Sequence, residues 1–273
     1  MDSSKIKNLI IVILLLVNLF LAAMVLHDRI EEIRAENQAI ADVSAAYAAS
    51  GIELSADLRW NDKLVGCNLS RDLNKENALV KSVIGTSMVE DLGGNILYYK
   101  GTKGEARFRG TGEFEIVMTA KAIPVSGSPL DTAKNVLADM GYRTDVSRAV
   151  VDCASGSTTV TLVCMYRGDN VYNCIVSFLF TPDYLMMING RRPLEWSADG
   201  ESSAISAPTA LMRFLAEMRE RGAVCSELRT LELGYSMTAS ASGEGSLTPY
   251  WCILTDAGQY YINAVTGRIE SYI

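Results

Sequence analysis

The feature that most constrains this chain is an uninterrupted apolar run near its N-terminus. Residues 9–26, LIIVILLLVNLFLAAMVL, contain one polar side chain, that of Asn18. As a helix this run extends about 27 Å, close to the thickness of a bilayer core. The run is longer than the apolar region of a signal peptide, and no small-residue cleavage site follows it. We therefore interpret it as an uncleaved single-pass membrane anchor, with a cleaved signal peptide as the alternative.

The residues that flank the run suggest its orientation. Lys5 and Lys7 precede it, and positive residues are retained on the cytoplasmic side. Residues 1–8 are thus expected to form a cytoplasmic arm, with everything after the transmembrane helix outside the cytoplasm. Within the span, an amide in hydrocarbon seeks a hydrogen-bond partner, and small residues permit close approach. Asn18, Ala22 and Ala23 are therefore a candidate interface with a partner helix, although a single tolerated amide would explain Asn18 equally well.

A helical stalk is predicted to follow the anchor over residues 27–51. Ile30, Ile33, Ile40 and Tyr47 keep a three-then-seven spacing through polar sequence, and Gly51 supplies a stop. The pattern fits a partner helix or packing on the protein's own domain, and the sequence does not decide between them.

The remaining residues, 52–273, predict an extracytoplasmic α+β domain with a subdivision considered near residue 125. Three helices are expected, over 72–85, from Ser128 to Gly141, and from Pro208 to Gly222. Each is followed by alternating strand sequence with glycine-rich turns. This order predicts three repeated units, each of one helix and an antiparallel meander. The polar segment 239–246 is expected to be a flexible loop.

Composition excludes several classes of function. The chain has 32 acidic and 25 basic residues, a net charge of −7, so nucleic acid is not an expected partner. His27 is the one histidine, so Ser/His or Cys/His catalysis has a single candidate base, and a zinc site built on two or more histidines is excluded. Asp152, Asp169 and Asp183 lie near predicted turns, where acidic side chains usually cap backbone amides or are solvated. We therefore expect no catalytic residues, no metal and no cofactor, and a hydrolase with an unrecognised carboxylate pair is a minor alternative.

The six cysteines show no spacing that defines a disulfide framework or a metal site. Cys164 alternates with Val160 and Leu162, and Cys174 shares a face with Val176 and Phe178. Cysteines in such positions usually behave as small core residues with free thiols. A cross-strand disulfide between Cys164 and Cys174 is the alternative.

The C-terminus carries the most specific pattern in the chain. A strand with Trp251 and a turn over 256–258 lead into Tyr260, Tyr261, Asn263 and Gly267, in the order Tyr-Tyr-x-Asn-Ala-x-Thr-Gly. This stretch resembles the closing hairpin of PepSY-like modules and of the YycI family. The resemblance gives these five residues a structural role in the hairpin.

Two further stretches resemble the YycI family. The opening MDSSKIK before a long apolar run is similar to the start of YycI proteins, which are membrane-anchored regulators that accompany a sensor histidine kinase. The segments over 98–108 and 112–116 are similar to a strand-turn-strand region of that family. The resemblance to the YycI family covers both ends and the order of elements.

The resemblance implies regulation without catalysis in cell-envelope two-component signalling. The span would contact a sensor histidine kinase, and the extracytoplasmic domain would pair with a YycH-like partner protein. An alternative of a different class is a PepSY-like inhibitor or scaffold of an extracytoplasmic peptidase, which would act through the extracytoplasmic domain alone.

Overall fold

The computed structural model describes residues 3–55, 58–60, 63–154 and 156–270. Met1 and Asp2, the first residues of the expected cytoplasmic arm and of the YycI-like opening, lie outside the described residues. The chain divides into two compact units, residues 1–54 and residues 55–273.

The first unit is one long helix, α1, Ser3–Ala49, followed by a two-residue strand, β1, Glu53–Leu54. The helix ends where predicted, because Gly51 adopts a φ of +72° and the Ile52 amide donates to the Tyr47 carbonyl at 3.0 Å. The predicted anchor and the predicted stalk are therefore one continuous helix. Its part from Ile13 to Ala49 is long and apolar enough to cross a membrane, by length and composition.

The second unit contains the three predicted helices, α2, Leu73–Ile84, α3, Pro129–Asp139, and α4, Ala207–Glu220. Their starts follow from local chemistry. The Asp72 carboxylate accepts hydrogen bonds from the amides of Asn74 and Lys75, and the Ser128 hydroxyl accepts one from the amide of Asp131. These caps satisfy amides that have no partner within the helix.

Strands and one short 3₁₀ helix, Val146–Arg148, make up most of the rest. In chain order the strands are β2 Val65–Ser70, β3 Ser87–Asp91, β4 Ile96–Gly101, β5 Gly104–Arg109, β6 Glu113–Met118, β7 Arg143–Thr144, β8 Val150–Ala154, β9 Ser157–Tyr166, β10 Asp169–Phe180, β11 Leu185–Arg191, β12 Glu195–Ser203, β13 Glu227–Ala239, β14 Glu244–Thr255, β15 Gln259–Asn263 and β16 Ile269–Glu270.

These strands form two largely antiparallel sheets that join at one seam. The large sheet runs β3-β4-β5-β6-β11-β10-β9, with β7 and β8 also paired to β9. The small sheet runs β12-β2-β14-β13, with β15 and β16 extending from β14. At the seam the backbones pair in parallel at Val171 and Tyr235. Beside that pair, the Asn173 side-chain amide bonds both the N–H and the C=O of Met237 at 2.8 Å, as a strand backbone would.

The expected series of three repeated helix-meander units is not confirmed. Strand β2 lies between β12 and β14, so the small sheet combines segments from three distant parts of the chain. The sequence reading missed β2 and β12 because Gly66 and Asn68 interrupt the first and polar residues fill the second. The structure thus has an α+β fold with one long apolar helix and a predominantly antiparallel sheet system.

The main core lies between the large sheet and helices α2 and α3. Buried side chains on both sides of residue 125 meet in it, including Val80, Val136, Phe108, Ile116 and Phe178. Burial of each such side chain contributes about 1.5–3 kcal/mol. Helix α4 instead packs beside the small sheet, where the Phe214 and Tyr260 rings lie 5.1 Å apart.

The cysteine prediction is confirmed. All six thiols are free; Cys153 is exposed and the other five are buried. Cys164 and Cys174 are fully buried in the core, and burial raises the pKa of Cys174 to about 12. These two thiols are therefore neutral at physiological pH and behave as core residues.

The prediction of a flexible loop over 239–246 is wrong. Strands β13 and β14 pair as far as Ala239 and Gly245, which leaves a tight turn between them. The turn is also held from outside, because the Asn95 side chain donates to the Ala241 carbonyl at 3.0 Å and the Arg71 amide donates to the Gly243 carbonyl at 2.7 Å.

Candidate functional site

A cleft of about 400 Å³ opens at the seam between the two sheets. The large sheet contributes Val163 and Ile175, and the 3₁₀ helix contributes Ser147 and Arg148. The small sheet contributes the polar wall, which is made of Thr230, Glu232, Gln259 and Tyr261 together with the apolar Leu254. We call this feature the seam cleft.

Arg148 is placed at the seam cleft by a local cap. The Asp145 carboxylate accepts hydrogen bonds from the Ser147 amide at 3.0 Å and the Ser147 hydroxyl at 2.7 Å, which fixes the start of the 3₁₀ helix. These bonds, the hydroxyl's first, lower the pKa of the Asp145 carboxyl below its usual value. The carboxylate is therefore charged at neutral pH, 3.9 Å from the Arg148 Nε.

Besides Asp145, three groups hold the Arg148 guanidinium in a defined orientation. It lies 5.4 Å from the centre of the Tyr172 ring and donates to the Glu232 carboxylate. Its two terminal nitrogens lie 3.9 and 3.8 Å from the Cys252 sulfur. Burial alone would lower the pKa of the Arg148 guanidinium. The bond to Glu232 and the other groups around it outweigh that effect and raise the pKa above its usual value, so the group stays charged. The side chain is thus preorganised.

Cys252 lies behind the cleft wall and is fully buried. Its sulfur accepts a hydrogen bond from the Gln259 amide nitrogen at 2.9 Å. Burial raises the pKa of the Cys252 thiol, and the nearby Arg148 offsets only part of that increase. The neutral thiol therefore acts as a support for Arg148 and Gln259.

Two tyrosines complete the wall. The Tyr172 hydroxyl donates to the Glu232 carbonyl at 3.1 Å, and its ring lies 5.1 Å from that of Tyr261. The Tyr261 hydroxyl accepts from the Gln259 side chain at 2.7 Å, and burial raises the pKa of Tyr261 to about 12. The seam cleft thus offers fixed donors and acceptors beside aromatic and aliphatic surface, which is the chemistry of a binding site.

A second charged cluster, centred on Glu76, lies deep in the main core. The fully buried Glu76 carboxylate accepts from Arg71 at 2.6 and 2.9 Å, from Arg192 at 2.6 Å and from the Tyr99 hydroxyl at 3.0 Å. Arg192 also donates to the Tyr142 hydroxyl at 3.3 Å. These bonds tie α2 to β4 and to the residue that directly follows β11. We call this set the Glu76 cluster.

The residues predicted as a membrane interface lie on α1. Asn18, Ala22 and Ala23 are all exposed in this chain. Asn18 and Ala22 lie one turn apart on the same face, and Ala23 lies about 100° further round the helix.

The five predicted hairpin residues have individual structural contacts. The Trp251 indole is fully buried and donates to the Ile205 carbonyl at 2.9 Å, and Tyr260 packs on Phe214. The Asn263 side-chain oxygen accepts from the amides of Val265 and Thr266 at 3.0 Å.

Gly267 closes the turn that Asn263 organises. It adopts a φ of +72°, and a Cβ at this position would collide with the Arg213 guanidinium. Of the five hairpin residues, Tyr261 is the one that reaches the seam cleft.

Sequence reasoning missed Arg148, Glu232 and Gln259. Arg148 and Glu232 are 84 residues apart, and no local spacing rule connects them. The one local signal is the Asp145-x-Ser147 cap before Arg148.

Comparison with known proteins adds information on the fold. No protein-family model and no curated protein matches this chain. A crystal structure of an uncharacterized protein from Eubacterium rectale ATCC 33656 superposes with a TM-score of 0.50 at 8% sequence identity. The match covers 81% of this chain and 90% of that one, so the two share an overall α+β architecture.

Proposed function

We propose that the chain is a membrane-anchored regulator of a sensor histidine kinase in cell-envelope two-component signalling, acting by contact and without catalysis. The observation that carries the proposal is the apolar surface of α1. Leu16, Leu19, Phe20 and Val25 are 58–67% exposed on this helix. Exposed apolar area of this extent calls for lipid or partner helices as its surroundings.

The proposed membrane interface is the face of α1 that carries Asn18 and Ala22, with Ala23 beside it. A hydrogen bond between an amide in hydrocarbon and a partner helix contributes about 0.6–2 kcal/mol. Signalling needs a regulator to bind two kinase states with affinities that differ by about 1–3 kcal/mol, so one such contact is of sufficient size. The identity of the kinase, and of a YycH-like partner for the folded unit, comes from the resemblance to the YycI family.

The orientation of the chain across the membrane is part of the proposal, and chemical labelling of Cys153 tests it directly. A membrane-impermeant maleimide added to intact cells should label this exposed thiol, because the N-terminus is proposed to be cytoplasmic and the sheets extracytoplasmic. The Cys153→Ser variant is the control for labelling of the five buried cysteines. Labelling that requires permeabilised cells would contradict the orientation.

The partner test is a crosslinking pulldown of the full-length protein from native membranes. We expect recovery of a sensor kinase with the native span and several-fold less with Asn18→Leu or with residues 9–26 replaced by an unrelated apolar sequence. Val17→Leu, one position away on a different face, is the matched control and should leave recovery unchanged.

Two outcomes would contradict the proposal. A kinase recovered equally with every span would remove the transmembrane contact. Recovery of an extracytoplasmic peptidase in place of a kinase would favour the alternative, a PepSY-like inhibitor or scaffold.

A further inference from the structure

We infer that the seam cleft binds a neutral saccharide. This assignment goes beyond the proposed regulation of a kinase and does not depend on it. It rests on the charge of the wall, on the free polar atoms that line it and on the apolar surface beside them.

The charges of the wall select against an anionic ligand and a cationic one. Arg148 lies between two carboxylates, those of Asp145 and Glu232, so a phosphate or carboxylate would meet more negative than positive charge. A cation at the Glu232 carboxylate would lie beside the positive Arg148 guanidinium, which Tyr172 and Cys252 hold in place. An uncharged ligand meets neither cost.

The polar groups of the wall suit neighbouring hydroxyls. Gln259 donates both its amide hydrogens, to Cys252 and to Tyr261, which leaves its carbonyl oxygen as an acceptor with no partner among the described residues. The Thr230 hydroxyl likewise has no side-chain hydrogen bond among the residues that the structure describes. A sugar hydroxyl donates and accepts at once, and the wall offers carboxylate, amide, hydroxyl and guanidinium groups side by side.

The cleft also supplies apolar surface for the C–H face of a sugar ring. Ile175, on the large sheet, is 38% exposed, and Leu254 and Tyr261 line the cleft from the small sheet. The volume of about 400 Å³ is within the range of small-ligand sites. Because Arg148 and Gln259 are already fixed, little conformational entropy is lost when a ligand binds them.

Binding can be measured on the full-length protein in nanodiscs, since detergents with sugar headgroups would compete. The probes are chitotetraose and maltotetraose as neutral saccharides, with tetralysine peptide and inorganic phosphate as charged comparisons. Calorimetry and saturation-transfer NMR should show that at least one saccharide binds while phosphate and tetralysine do not.

Three variants locate the site. Thr230→Val and Gln259→Leu each remove one free polar group from the wall, and each should weaken saccharide binding roughly five- to tenfold. Thr159→Val, a half-buried threonine on the large sheet outside the cleft, is the matched control and should bind as the unaltered protein does. Near-ultraviolet circular dichroism of each variant checks that the fold is retained.

Three results would overturn the inference. One is that neither saccharide binds at millimolar concentration. Another is that a saccharide binds equally to all three variants, which would place its site elsewhere. The third is that tetralysine binds in a way that depends on Gln259 and Thr230 while the saccharides do not, which would make the cleft a site for basic peptides. Because the assay contains no kinase, its failure leaves the proposed regulation standing and the failure of that proposal leaves the assay unaffected.

Discussion

The Glu76 cluster and the seam cleft use the same arginine–glutamate chemistry in opposite surroundings. In the Glu76 cluster the side chains of Arg71, Arg192 and Glu76 are at most 4% exposed. In the seam cleft the side chains of Arg148 and Glu232 are 19% and 27% exposed. Burial separates the two groups more clearly than residue type does.

The contrast distinguishes a charged group that holds the fold together from one that is accessible to a ligand. In the Glu76 cluster both carboxylate oxygens are occupied by donors, so the charges hold α2 against the large sheet. In the seam cleft the pair remains accessible to solvent and can exchange water for a ligand. The first group should therefore control stability, and the second should control binding.

The largest expected effect is that of Glu76→Gln. It leaves two buried guanidinium groups without a carboxylate, which should lower the free energy of unfolding by about 3–5 kcal/mol. Urea unfolding followed by circular dichroism measures this loss. Glu195→Gln is the matched control, because Glu195 pairs with the exposed Lys75 and its loss should cost about 0–1 kcal/mol. An equal loss of unfolding free energy in both variants would contradict the distinction between buried and solvent-exposed ion pairs.

Alkaline pH should have the next largest effect, and it acts on both regions. Burial raises the pKa of Tyr142, beside the Glu76 cluster, and of Tyr261, in the seam cleft, to about 12 in each case. Between about pH 10 and 12 the unfolded chain loses these protons and the folded chain keeps them, so stability is present below pH 10 and is lost as pH rises through this interval. Each tyrosine contributes up to about 2 kcal/mol of this loss.

Urea unfolding at a series of pH values separates the two tyrosines. Tyr142→Phe and Tyr261→Phe should each flatten the decline above pH 10. A decline of unchanged slope in both variants would assign the alkaline loss to other groups.

The smallest expected effect on stability is that of Glu232→Gln. The amide oxygen can still accept from Arg148, and the pair is partly solvated, so the free energy of unfolding should fall by about 1 kcal/mol or less. Saccharide binding should nevertheless weaken, because the wall loses a carboxylate acceptor. A stability loss as large as that of Glu76→Gln would remove the contrast between the two regions.

The sequence predicted those parts of the fold that depend on nearby residues. The caps at Asp72 and Ser128 and the stop at Gly51 are local, and they mark the helix ends correctly. The alternation around Cys164 and Cys174 predicted a buried face for the same reason, since neighbouring positions on a strand point to opposite sides.

The order of strands and the seam cleft depend on distant residues and escaped prediction. Strand β2 pairs with β12 and β14, which lie more than 100 residues away along the chain. Its Gly66 interrupts the alternating pattern that would have indicated a strand. Glu232 meets Arg148 only because the two sheets meet at the seam. Of the seam cleft, the sequence singled out Tyr261, and it did so for a structural role in the hairpin.

The seam itself has a mechanical consequence. Along most of each sheet, ladders of backbone hydrogen bonds share any load, whereas at the seam the backbones pair at Val171 and Tyr235. A torque that spreads the two sheets is therefore resisted by side chains: by the hydrogen bonds of Asn173, Tyr172 and Arg148, and by the core that buried residues of both sheets, such as Cys174 and Met237, share. The width of the cleft is therefore set by side-chain packing and side-chain hydrogen bonds more than by backbone pairing.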